Sequence, residues 1–345
     1  VTDKVPAPGP KSRPASSLGR RLFQAAALVV LVSAALAWVG YHRYVDPGPL
    51  TQDRIVVVSS RGGLQAMGQT LAEAGVVRGD IDFVAAVRVG SVLGVGSQVL
   101  KPGEYAFPAH VSLKDTVALL RSGKTVVHRL TIPEGLTSAQ IVALIEAEPA
   151  FSGTITEKPA EGSLLPETYF FGLNYGRAQM VERMQAAMRK AVDEIWAGRA
   201  PGVALKSPEE MVTMASLVEK ETGVPAERPH IAAVFYNRLR LGMRLQSDPT
   251  VIYILTNGAG PLGRTLTHAD LAVASPYNTY AVAGLPPGPI ANPGREALRA
   301  VANPMTSDDL YFVANGSGGH AFAASLAEHN RNVDKWRDLR EKAQR

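Results

Sequence analysis

Glu221 is the side chain in this sequence most suited to acid–base chemistry. It lies in the run Ser216-Leu-Val-Glu-Lys-Glu-Thr-Gly223, upstream of the polar segment Asn237-Arg-Leu-Arg-Leu-Gly-Met-Arg-Leu-Gln-Ser-Asp-Pro-Thr-Val-Ile-Tyr253. A carboxyl among apolar side chains is poorly hydrated when charged. Its pKa therefore rises toward the range in which it donates a proton near neutrality, which is what a glycosidase acid requires. A second reading stays open: a structural ion pair with an arginine such as Arg238 or Arg244, since such networks perturb carboxylates too.

The element that must position Glu221 reads as a helix over residues 208–222. Ser207 suits the N-cap, Pro208 the first helical position, Glu210 the third position of a capping box, and Gly223 the stop. At about 100° per residue, Met211, Met214, Ala215, Leu217 and Val218 form an apolar stripe into which Glu221 projects. Glu219 falls at the stripe's edge and Lys220 points away.

Glu219–Thr222 reads E-K-E-T, and Asn237–Tyr253 fits N-R-L-x-x-G-M-x-L-Q-x-D-P-T-V-x-Y. Tyr277-Asn-Thr-Tyr280, Gly284-Leu-Pro-Pro-Gly-Pro-Ile290, Asn292-Pro-Gly294, Tyr311-Phe-Val313, Gly319-His320 and His329-Asn330 follow in order. In this set and order the chain resembles the endolytic murein transglycosylases, the YceG-like family also called MltG, from the membrane segment to the last helix. Glu161–Phe170 is similar to the family's E-G-x-x-x-P-D-T-Y-x-F, with Glu167 where Asp is commoner. That departure puts a direct catalytic role for Glu167 in doubt. The resemblance makes the second acid of E-K-E, Glu221, the catalytic residue, and the helical phase selects it independently.

The resemblance implies a lytic transglycosylase that cuts the β-1,4 bond between N-acetylmuramic acid and N-acetylglucosamine within peptidoglycan strands. No water is added, and a 1,6-anhydro ring closes on the muramyl product. It also implies action on nascent strands as a terminator of elongation, near the penicillin-binding synthases. The intramolecular hydroxyl, with the substrate N-acetyl group, removes the need for a second carboxylate about 5 Å away. Asp248 and Glu219 are then not required, and Asp248 before Pro249 reads as a turn former or an arginine's partner.

Gln246, a neutral donor and acceptor, is a candidate for sugar hydroxyl or acetamido groups. Asn278, with Tyr277 and Tyr280, is a candidate lining of a glycan cleft, tyrosine offering an apolar face and a polar tip. Structural alternatives stand beside these: Gln246 bonding backbone, and the tyrosines anchoring a loop. His320 either closes over substrate or caps a helix. The competing function is a noncatalytic membrane-anchored glycan-binding scaffold for cell-wall enzymes. A peptidase lacks any nucleophile or metal constellation here.

Leu22–Tyr41 carries no charge, and twenty helical residues reach about 30 Å, so residues 22–42 read as one transmembrane helix. Lys4, Lys11, Arg13, Arg20 and Arg21 precede it, which by the positive-inside rule places the N-terminus in the cytoplasm and the rest outside a bacterial inner membrane. Trp38, Tyr41 and Tyr44 mark the outer interface. Ala35-Leu-Ala37 mimics a cleavage site, but the apolar run exceeds a usual signal-peptide core, favouring a retained anchor. Residues 1–21, rich in Pro, Ser and basic side chains, read as a disordered tail that carries +4 of the total charge of +5. The near-neutral remainder speaks against a nucleic-acid binder. With no cysteine and no His-Glu-x-x-His among seven histidines, neither disulfide, metal nor cofactor is expected.

The expected fold class is α+β. Residues 50–125 read as a small module: strand Arg54–Ser59, helices Leu64–Ala74 and Asp80–Val89, strand Gly103–Phe107 and helix Ser112–Arg121. It resembles the family's LysM-like domain, so it either holds glycan or spaces the catalytic unit. Residues 126–345 read as a mixed α+β catalytic domain. There Thr137 caps one helix, Gln179–Trp196 forms another, and a last helix turns Leu326, Val333, Trp336 and Leu339 inward.

Overall fold

The computed structural model describes residues 17–94 and 99–343. Lys4, Lys11 and Arg13, with most of the tail expected over 1–21, lie outside the described residues. Helix α1, Ser17–Val45, overruns the expected span at both ends, because no proline occurs between Pro14 and Pro47. An apolar window within its Gly19–Val45 stretch has none of its residues buried in protein. Its length and composition fit a single-pass membrane anchor.

The chain divides after Val126 into two compact units, and α1 belongs to the first. In the first, β1 (Arg54–Val58) is followed by α2 (Gly63–Glu73), α3 (Asp80–Val92), β2 (Gly103–Phe107) and α4 (Leu113–Ser122). β1 and β2 pair antiparallel, Val56 opposite Tyr105. The two-residue alternation turns Val56, Val58, Tyr105 and Phe107 into a core with Leu71, Phe83 and Leu120. Ser112 caps α4 by accepting the Asp115 amide, and Gly123, at φ 72°, ends it.

The second unit runs β3 (His128–Thr131), α5 (Ser138–Ala147), β4 (Phe151–Ser152), β5 (Thr168–Phe171), β6 (Tyr175–Gly176) and α6 (Arg177–Ala197). There follow α7 (Pro208–Glu221), α8 (Arg228–Arg240), α9 (Asp248–Thr256), α10 (His268–Leu271), α11 (Arg295–Ala302), β7 (Tyr311–Ala314), β8 (His320–Ala323) and α12 (Leu326–Ala343). β3 pairs antiparallel with β5, β4 parallel with β6, and β7 with β8 as a hairpin. Thr137 and Gln140 form a reciprocal capping box on α5. The Gln179 side chain accepts the Gly176 amide, which lets α6 begin two residues before the expected start.

α7 lies at the centre of this unit, packed by α6, α8, α9 and α11. Met211 through Val218 are all buried, so the expected stripe widens to the whole circumference. Thr213 and Ser216 tolerate this by donating their hydroxyls to the Glu209 and Thr213 carbonyls. Ser207 does cap α7, accepting the Glu210 amide, but the Glu210 carboxylate bonds the Lys206 amide, so the capping box is incomplete. The last helix also departs from expectation. Leu326 and Leu339 are exposed, and only Val333 and Trp336 of the expected inward set are half-buried.

Candidate active site

The last turn of α7 and the residue after it send four consecutive side chains to four different segments. Glu219 accepts the Gly294 amide at 2.9 Å and a charge-assisted hydrogen bond from Arg228 at 2.7 Å. Lys220 donates to the Gly135 carbonyl at 3.2 Å. Glu221 accepts from the Ser247 hydroxyl at 2.5 Å. Thr222 ends the helix in extended backbone, donates its hydroxyl to Glu227 and accepts the Val224 amide. A fifth contact lies one turn earlier, where the Ser216 hydroxyl accepts the Ile290 amide.

The two glutamates of this motif differ in kind. The Glu219 side chain is only 4% exposed and forms the arginine ion pair that the sequence left open for Glu221. Burial pushes its pKa up, against the Gly294 amide and Arg228. Arg228 also reaches Glu134 at 3.1 Å, and a Cβ at Gly294 would overlap that Glu134 carboxylate. Glu221 is half-buried, and among the described residues no arginine pairs with it. Burial raises its pKa to about 7; the Ser247 hydrogen bond opposes this, the charge of Asp248 adds to it, and Arg238 opposes it more weakly.

Arg238 does not pair with Glu221 because its guanidinium is spent on backbone. It donates to the carbonyls of Leu310, Arg244 and Leu245 at 2.6, 3.2 and 2.8 Å, and to Gln246 Oε1 at 3.4 Å. The buried arginine thereby shapes the loop leading to Ser247. Within that loop Gln246 is exposed and sits at φ 51°, a left-handed conformation that is rare for a residue other than Gly, Asn or Asp. Its backbone amide is tied to the Thr279 carbonyl, and apart from the Arg238 contact at Oε1 its side chain is open to solvent.

Ser247 is the residue that sequence reasoning missed, since it occupies an unspecified position of the motif. It is buried, its amide donates to Thr279 Oγ1, and Thr250 Oγ1 donates to its carbonyl. Its place just before the Asp-Pro start of a helix was the signal available, since such positions favour Ser. Asp248, expected as a turn former or an arginine's partner, opens α9 and accepts instead from the Tyr280 hydroxyl at 2.5 Å.

The other sequence candidates divide. Tyr280 and Tyr277 are half-buried; Tyr277 packs against the Tyr253 ring at 5.5 Å. Asn278 is fully buried, donates to the Leu271 and Val273 carbonyls, and accepts the Tyr280 amide. It holds the turn that presents the tyrosines and does not reach the surface of the cleft. Beside the site lies a cavity of about 380 Å³ walled by Gln140, Lys220, Pro249, Ile252 and Tyr253. His320 bonds Glu227 at 2.7 Å through its ring and also through its amide, so it braces the turn after α7. Glu167 pairs with Arg295.

The chain is 33% identical over 273 residues to a Bacillus subtilis (strain 168) protein named endolytic murein transglycosylase, covering 70% of this chain and 74% of that one. A Streptococcus pneumoniae (strain D39) protein of the same name is 30% identical over 362 aligned positions, 88% of this chain. The chain spans 63% of that relative's length. The crystal structure of a yceG-like protein from Listeria monocytogenes is 32% identical, with a TM-score of 0.48, covering 81% of this chain and 99% of the other. The YceG-like family model matches residues 56–335, a stretch that contains Glu221, Ser247, Asp248 and both tyrosines. On that match the chain belongs to the YceG-like family.

Proposed function

We propose that this chain is an endolytic murein transglycosylase, an enzyme held by α1 in the bacterial cytoplasmic membrane with both units on the outer side. The names of its relatives support the activity. The observation that carries the reading is Glu221, an acid with its pKa raised to about 7, half-buried and without an arginine ion pair among the described residues. Such a group is protonated often enough to act as an acid and ionised often enough to act as a base at the same pH.

Glu221 donates its proton to the oxygen between muramyl C1 and the N-acetylglucosamine ring, and the C1–O bond breaks. The muramyl C6 hydroxyl then attacks C1 and passes its proton to the Glu221 carboxylate. The acid is regenerated and no water is consumed. The Ser247 hydroxyl fixes the carboxyl's orientation in both states, and the negative charge of Asp248 favours the positive charge that develops at C1. Gln246 and the faces of Tyr277 and Tyr280 contact the sugars, and Asn278 supports them from behind. The first unit is LysM-like and grips the strand. Cutting nascent strands near the synthases ends their elongation.

The test is incubation of the detergent-solubilised chain with uncrosslinked glycan strands, followed by mass spectrometry. Anhydromuramyl ends are expected, and Glu221→Gln lowers their rate by about 10²–10⁴-fold. Ends that incorporate oxygen from labelled water would make the enzyme a hydrolase. Strand binding without cleavage would leave a glycan-binding scaffold.

A further inference from the structure

The first unit carries an apolar surface that its own core leaves uncovered. α3 opens with Asp80 and Asp82 and ends in Val89 and Val92, with Leu93 as its C-cap, and these three are 56%, 86% and 69% exposed. α1 and α3 meet where Arg43 donates to Asp82 at 3.2 Å. Between them lies a cavity of about 510 Å³, walled by Ala37, Gly40 and Tyr41 of α1, by Ala86 and Val89 of α3 with Leu93 just beyond it, and by the charged pair Arg43 and Asp82.

Ala37 lies six residues before Arg43, about 9 Å along the helix toward the apolar span. The charged start of α3 therefore meets the water end of α1, while its apolar end shares a cavity with residues of the span. Trp38 and Tyr41, also exposed, stand at this level, where aromatic rings prefer the interface. Arg88 is the single charge in the last two turns of α3; it is exposed, and its long stem can carry the guanidinium to the headgroups. In water this arrangement would leave a largely apolar cavity, charged only at its Arg43 and Asp82 wall, and three large apolar side chains hydrated. In a bilayer the apolar wall meets acyl chains, and the paired Arg43 and Asp82 meet the headgroups.

We propose that this face inserts into the membrane. Acyl chains of the phospholipids around α1 fill the cavity, and Val89, Val92 and Leu93 lie among them, so that α3 acts as an interfacial element beside the anchor. The inference rests on α1 being the anchor, and the experiment separates the two claims.

The chain has no cysteine, so each introduced one is a unique labelling site. The full chain is reconstituted into vesicles of phosphatidylcholine and phosphatidylglycerol, with an environment-sensitive fluorophore at Val92→Cys, at Val30→Cys within α1, or at exposed Ser60→Cys. The Val92 probe is expected to emit to the blue of the Ser60 probe and to be quenched several-fold more strongly by spin-labelled lipids. Val92 emission matching Ser60, with Val30 quenched, overturns the insertion and leaves the anchor standing. A Val30 probe that is not quenched overturns both. Placing Leu93→Asp beside a Val89→Cys probe is expected to abolish quenching with the far-UV circular dichroism unchanged; persistent quenching counts against the proposal.

Discussion

Two neighbours of Glu221 pull its proton affinity in opposite directions, and each can be removed alone. The Ser247 hydrogen bond favours the carboxylate, so Ser247→Ala moves the basic limb of kcat/KM upward by about one pH unit. The charge of Asp248 disfavours the carboxylate, so Asp248→Asn moves the same limb downward. With the wild-type limb near pH 7, rate profiles of the three proteins check both signs, and shifts in one common direction would remove Glu221 as the titrating group. The raised pKa also touches stability. The folded state keeps the Glu221 proton up to about pH 7, whereas a carboxyl of ordinary pKa 4.5 in the unfolded chain has lost it. Stability is therefore full below pH 4.5 and falls by up to about 3 kcal/mol as pH rises through 7. Glu221→Gln lacks this loss, so the variant unfolds at higher denaturant than wild type at pH 8 and at a similar concentration at pH 4.

At the scale of the element, α7 is a rigid rod whose last turn organises the loops around it. Its buried middle fixes the axis, and Glu219 with Arg228 then locks the end of α7 to the start of α8. The Arg228 side chain is only 9% exposed. Arg228→Ala leaves the Glu219 carboxyl buried without its cation and costs about 3–5 kcal/mol in urea unfolding. Adding Glu219→Gln removes the stranded charge and restores a large part of that loss; a double variant no more stable than Arg228→Ala would show the pair to be inconsequential. Arg238 works differently. Among the described residues it forms no carboxylate ion pair, and instead it gathers the carbonyls of Arg244 and Leu245, which delivers Gln246 and Ser247 to the end of α7.

Over the whole molecule, each unit has apolar clusters of its own: Phe83, Tyr105 and Phe107 centre the first, while the α7 cluster, together with that of Ile141, Leu164 and Met184, fills the second. A cavity made in one core should therefore be felt locally. Phe83→Ala is expected to destabilise the first unit by about 3–5 kcal/mol. Hydrogen exchange checks this: amides of β1, α2 and β2 lose protection, while those of α7 and α8 keep theirs. Loss of protection in α7 would mean that the two units unfold as one.

Local signals were legible in the sequence wherever the cause lies within a few residues. Ser207-Pro208, Thr137 and Ser112 mark helix starts because capping is settled by neighbours one to four positions away. β2 has the expected bounds because its alternation is read over five residues. The perturbed pKa of Glu221 was legible too, since an apolar helix of known phase implies a poorly hydrated carboxyl. What only the tertiary structure decided comes from segments far apart in the chain. Ser247 meets Glu221 across 26 positions, and Asn292 reaches the Leu164 amide across 128. Which glutamate of the motif takes the arginine depended on where α8 packs Arg228. Asn278 looked like a residue of the cleft, but two carbonyls of its own turn consume its amide. Periodicity assigns a side chain to a face of its element; packing alone brings another element against that face and leaves part of it open to a substrate.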